Sequence, residues 1–96
     1  MMRPVHEEIR PDVEQAFGSV VSEECQRLGL STLMVARRGD FTYATIEAFQ
    51  RGKRQPKLAA FIALAWALHE EPRDLFDKLL TTMHLPPGRR PVLNRG

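Results

Sequence analysis

Two short segments constrain this chain more than any other part of it. Residues 32–38 follow Ser31 and run into Gly39-Asp40, and residues 43–51 follow Thr42 and run into Gly52. Ser and Thr side chains accept hydrogen bonds from the N–H groups that a helix leaves free at its start. Gly takes the left-handed backbone that ends a helix, and Asp tolerates it. The chain is thus told to start, stop, turn and start again in quick succession. Helices this short are not stable alone, so the rest of the chain has to pack against them.

The rest of the chain supplies more helices. Few residues are β-branched, and no stretch alternates apolar and polar residues for long. Apolar residues recur instead at three- and four-residue steps. Pro11 is expected to open a first helix, with Asp12 and Glu14 favourable to the helix dipole there. Phe17, Val20, Val21, then Cys25 or Glu24, and Leu28 give that helix one apolar face. Gly29 ends it and Leu30 turns into the core. The second helix carries Leu33, Met34, Val35 and Ala36. In the third, Ile46 and Phe49 point inward and leave Tyr43, Ala44, Glu47 and Ala48 outward. Phe41 before the cap and Ile46 after it are spaced as a hydrophobic staple. A fourth helix over 58–69 is expected to bury Leu58, Phe61, Ile62, Ala65 and Leu68. A fifth opens at Pro72, with Asp74 in its first turn, and carries Leu75, Phe76, Leu79 and Leu80. Leu85-Pro86-Pro87-Gly88 stops it.

The expected fold class is therefore all-α, with five helices over residues 11–85. A flexible arm is expected at 1–10 and a flexible basic tail at 86–96. A length of 96 residues suits one small core and not two. The single cysteine, Cys25, rules out an internal disulfide, and His6, His69 and His84 are too scattered for metal-ligand spacing. No cofactor is expected. No apolar run approaches the ~20 residues of a membrane helix, and the N-terminus lacks the apolar core of a signal peptide. The expected location is the cytoplasm.

Charge is unevenly spread. Residues 32–57 carry Arg37, Arg38, Arg51, Lys53, Arg54 and Lys57 against only Asp40 and Glu47, a net of +4 within a chain whose total is +2. The positive block surrounds the two short helices, which is the footprint expected for phosphate contact.

The order of these features resembles the lambda-repressor-like (Cro/C1, XRE) family of helix-turn-helix DNA-binding domains. Phe17-Gly18-x-Val20-Val21 is similar to the start of its first helix, and Gly29-Leu30-Ser31 to the opening of its second. Ala36 sits where the family has a small residue between helices 2 and 3. Ile46 and Phe49 hold the buried positions of the recognition helix. Arg51-Gly52-Lys53-Arg54-x-Pro56 is similar to the loop that follows it. Leu58-x-x-Phe61-Ile62-x-Leu64-Ala65-x-Ala67-Leu68 and Asp74-Leu75-Phe76 match helices 4 and 5. Several positions depart from the family, among them Thr32 for the usual glutamine and Trp66 for a polar residue. Gly39 replaces a buried leucine, Asp40 the turn glycine, Glu24 a buried apolar residue and Cys25 a basic one.

The resemblance implies a small prokaryotic transcriptional regulator that binds double-stranded DNA as a homodimer, with residues 43–51 in the major groove. Thr42, Tyr43, Ala44, Thr45, Glu47 and Ala48 would face the bases. Thr32, Arg51, Lys53 and Arg54 would touch phosphate, and Arg37 and Arg38 are candidates for the same role. Bidentate base reading uses Arg, Lys, Asn or Gln, and the base-facing positions offer none of them. An alternative therefore stands beside it: an antitoxin-like or adaptor module that docks a protein partner. Trp66, off the core stripe of an otherwise apolar helix, is the expected centre of a dimer or partner interface, with Leu79, Leu80 and Met83. No nucleophile–base arrangement, phosphate loop or metal set is visible, so no enzyme activity and no membrane partner are expected.

Overall fold

The computed structural model describes residues 5–83. Among them are five helices and no strand: α1 (Val5–Leu28), α2 (Thr32–Gly39), α3 (Tyr43–Gln50), α4 (Leu58–Ala67) and α5 (Pro72–Thr82). The chain is all-α over this range. The expected basic tail 86–96, His84 and the Leu85–Gly88 stop lie outside the described residues.

The helix ends follow from local chemistry. Ser31 Oγ accepts from the N–H of Met34 at 3.1 Å, and Thr42 Oγ1 accepts from the N–H of Thr45 at 3.1 Å. Each caps its helix by satisfying a free donor. The first four helices end alike, with a residue at positive φ: Gly29, Asp40, Gly52 and His69. At each, the next N–H reaches five residues back: Leu30 to Cys25, Phe41 to Ala36, Lys53 to Ala48 and Glu70 to Ala65, at 2.8–3.0 Å. This is the Schellman closure, which satisfies carbonyls left over at the helix end. Asp40 adopts φ 58°, ψ 42°. It holds the left-handed turn in place of glycine, as its side chain allows.

Helix α1 packs on α3 and α5, α2 on α3 and α4, and α4 on α5. Between them lie Phe17, Val21, Val35, Ile46, Phe49, Leu64, Leu68 and Leu75, all almost fully buried. Phe17 meets Phe49 edge-on at 5.7 Å, and Phe41 meets Phe49 edge-on at 6.3 Å. These contacts anchor α3 to both α1 and the turn before it. Gly18 tightens the same junction. A Cβ built there would lie 2.7 Å from the Phe49 carbonyl oxygen and 2.9 Å from the Gly52 nitrogen. Only glycine lets the two backbones approach so closely.

Two expectations from the sequence are corrected. Helix α1 begins at Val5, not at Pro11, so residues 5–10 of the expected arm are helical. Pro11 costs one hydrogen bond inside the helix, to the Glu7 carbonyl, but Glu7 and Glu8 in the first turn favour the dipole. Leu58 does not belong to the core stripe of α4. It is 76% exposed in the first turn of α4, and Leu64 takes the central place. In α2 only Val35 and Ala36 are buried, while Leu33 and Met34 face outward. An eight-residue helix turns through about two turns, so four consecutive apolar residues cannot share one face.

Candidate nucleic-acid interface

Helix α3 is held from below and free above. Ile46 and Phe49 are buried, whereas Thr42, Tyr43 and Ala44 are exposed and Thr45, Glu47 and Ala48 are partly so. Tyr43 is the most prominent large side chain here, at 51% exposure. The Thr42 and Thr45 hydroxyls bond to each other at 2.8 Å. Thr42 is therefore committed to its cap, and Thr45 is partly committed to Thr42. What remains outward at the start of α3 is a phenol, an alanine methyl and the edge of a threonine.

The far end of α3 leads into positive charge. Arg51, Lys53, Arg54 and Lys57 are all exposed. Arg51 lies 3.8 Å from Glu47 across one helical turn, both largely in solvent. The pair neutralises the single acid on the outer face of α3, and at this exposure it is worth little to stability. Gly52, at φ +70°, lets the loop turn back under α1, where a Cβ would come within 3.2 Å of Gln15. The start of the loop is tied to the helix by the N–H groups of Gly52 and Lys53, which reach the Phe49 and Ala48 carbonyls at 3.0 Å.

The start of α2 is tied to the end of α3. Thr32 Oγ1 donates to Gln50 Oε1 at 2.8 Å, and Gln50 Nε2 reaches Cys25 Sγ at 3.7 Å. The Thr32 hydroxyl proton is thus spent inside the protein. Its backbone N–H, in the first turn of α2, stays among the free donors of a helix start. Arg37 and Arg38 end α2 and are exposed. Burial pushes the Cys25 thiol up, so it stays protonated.

The expected partner-interface residues differ in exposure. Trp66 stands out at 66% exposure, beside an open groove of about 560 Å³ bordered by Arg38, Asp40, Ala63 and His69. Leu79 is buried in the core, and Leu80 and Met83 are half-buried, with Met83 packed against the core.

No family model, no characterised protein and no solved structure matches this chain.

Two features escaped the sequence. Glu24, at 6% exposure, is the one buried charged residue among those described. Its carboxylate accepts from Arg27 at 2.8 Å and from Lys78 at 2.7 Å, and Lys78 also bonds Glu70. The Arg27 guanidinium, with Lys78, holds Glu24 down at about 2. Burial, and then the neighbouring Glu24, pushes Glu70 up. Two carboxyls sharing one ammonium divide in this way, because both cannot be fully stabilised by it. The cluster ties α5 and the residue Glu70 before it to α1. The only signal in the sequence is an acid within the apolar face of α1, with Arg27 three residues on. The second feature is Phe41. Its ring fills the space beside Gly39, where a Cβ would lie 2.5 Å from Cε2. A large side chain at 41 and none at 39 exchange places in the same volume.

Proposed function

We propose that this chain binds duplex DNA with α2 and α3 as a helix-turn-helix unit, and acts as a prokaryotic transcriptional regulator of the lambda-repressor-like kind. The observation that carries this reading is the pairing of an outward α3 with the cationic loop directly behind it. Helix α3 enters the major groove by its N-terminal half. Arg51, Lys53 and Arg54 then lie over one phosphate strand, and the start of α2 at Thr32 over a neighbouring phosphate. Arg37 and Arg38 add positive field.

Base reading falls to Tyr43 and Ala44, with Thr45, Glu47 and Ala48 at closer or more oblique range. None of them makes a bidentate hydrogen-bonded pair with a purine. Methyl contact with thymine and single hydrogen bonds remain, so DNA shape supplies much of the discrimination. A homodimer reads two such half-sites about 34 Å apart, one DNA turn.

The test is fluorescence anisotropy on mixed-sequence duplexes across a salt series. Wild-type affinity falls steeply with salt. Changing Arg51, Lys53 and Arg54 together to Ala lowers affinity and flattens the log–log slope by about 0.9 for each phosphate no longer neutralised. Absent or salt-insensitive wild-type binding sinks the proposal. A second reading, an antitoxin-like or adaptor module, is favoured by exposed Trp66. It survives such a failure, and predicts a protein partner whose binding Trp66→Ala abolishes.

A further inference from the structure

The most apolar opening among the described residues is a groove of about 530 Å³ between α1, α4 and α5. Three rings line it in a run. Phe17 lies 5.9 Å from Phe61, and Phe61 meets Phe76 edge-on at 6.2 Å. Phe17 is buried and Phe61 packs half-buried against the core, so core packing sets this lining whether or not anything fills the groove. Val13, Leu58 and Ile62 complete its apolar walls. Leu58 at 76% and Phe76 at 49% exposure leave apolar surface in water beside one opening.

One charge enters this lining. Arg73 is exposed in the first turn of α5, and no acid lines the groove. The helix dipole disfavours a cation at that end of a helix. Arg73 has no ion pair among the described residues. Helix chemistry therefore gives no reason for a cation here, whereas an anion in the groove does. An apolar lining with one charged group is the pattern of a small-molecule site, and a volume of about 530 Å³ lies within the range of such sites.

We infer that this groove binds a small amphiphilic carboxylate, with its hydrocarbon body against Leu58, Phe61 and Phe76 and its carboxylate on the Arg73 guanidinium. A single guanidinium matches a singly charged, planar carboxylate through two parallel hydrogen bonds. Burial of the hydrocarbon covers the Leu58 and Phe76 surface and supplies most of the affinity. Gln55 and Pro56, at the end of the cationic loop, also line the groove. An occupant thus touches the segment that carries Arg51, Lys53 and Arg54. The binding itself does not rest on the DNA-binding reading.

Amide chemical-shift titration of the full chain without DNA tests this. The probes are hexanoate, heptanoate and octanoate, below micelle formation and at constant ionic strength. The amides of Leu58, Ile62, Arg73 and Phe76 should shift together, and affinity should rise roughly fourfold for each added CH₂. Arg73→Gln should weaken octanoate about fivefold and leave octanol binding unchanged. Leu58→Glu should weaken both probes while thermal unfolding is retained, as this side chain is exposed. Groove amides that do not shift overturn the inference, whether the groove is empty or filled by a second copy or another part of the chain. So does an affinity that ignores chain length, or an octanoate affinity that Arg73→Gln leaves intact. No arm contains DNA, so failure here leaves the DNA-binding proposal standing.

Discussion

Changing Gly18 to Ala puts the junction between α1 and α3 to a test of sign. By propensity alone, Gly to Ala inside a helix stabilises by about 0.5–1 kcal/mol. Here the added Cβ would sit 2.7 Å from the Phe49 oxygen, 2.9 Å from the Gln50 oxygen and 2.9 Å from the Gly52 nitrogen. All three are backbone atoms, so no side chain can swing aside. Restoring ordinary contact requires α3 to move off α1 by roughly 0.5 Å, and overpacking of this kind costs about 1–3 kcal/mol. The cost outweighs the propensity gain, leaving a net loss of about 1–2 kcal/mol. For a domain of this size that lowers Tm by roughly 4–8 °C for each kcal/mol. Urea and thermal unfolding followed by circular dichroism measure it. A variant that is more stable than wild type would refute the close approach, because propensity alone would then have won. The same variant should bind DNA more weakly, since the carbonyls displaced belong to the end of α3 and its loop.

Three further outcomes follow from the packing. Glu24, held at about 2 against an ordinary 4.5, stabilises the fold above pH 4.5 and loses that contribution as pH falls towards 2. Glu70, pushed up, works in the opposite sense and trims the gain, so Glu24→Gln should flatten acid unfolding by no more than about 2–3 kcal/mol over that window; equal acid midpoints for the two proteins would remove Glu24 from the account. His69 holds φ 55° without being glycine, and His69→Gly should raise stability by up to about 1 kcal/mol in urea unfolding, a loss being the contrary result. Gly39→Ala should be destabilising alone and nearly neutral beside Phe41→Val, whereas additive effects in a double-mutant cycle would separate the two positions.

Much of this fold was legible because short-range chemistry writes it. Ser31 and Thr42 cap where a hydroxyl precedes an apolar segment, and Gly29, Asp40 and Gly52 close where a left-handed residue follows one. These features depend on neighbours within five residues. Leu58 shows where the legibility ends. Its spacing fits the stripe of α4, but whether a helix's first turn is covered depends on how far α1 and α5 extend over it. Glu24 is similar: its burial makes sense only with Lys78, fifty-four positions away on α5. Gly18 was visible as a residue but not as a clearance, since nothing in its own segment reports that α3 ends against it. At the candidate interface the sequence exposed the cationic loop and the outward side of α3. It did not reveal that Thr32 gives its hydroxyl proton to Gln50, or that the Thr45 hydroxyl pairs with that of Thr42.

The central claim is that DNA lies on the α2–α3 face, and amide chemical-shift mapping tests it most directly. Labelled protein is titrated with a mixed-sequence duplex of about 20 base pairs, long enough for two half-sites. The account predicts that the largest shifts fall at Thr32–Leu33, Thr42–Thr45 and Arg51–Arg54, while the amides around Leu58 and Phe76 move little. Shifts concentrated at Trp66 or in the α1–α4–α5 groove, with α3 unmoved, would contradict it.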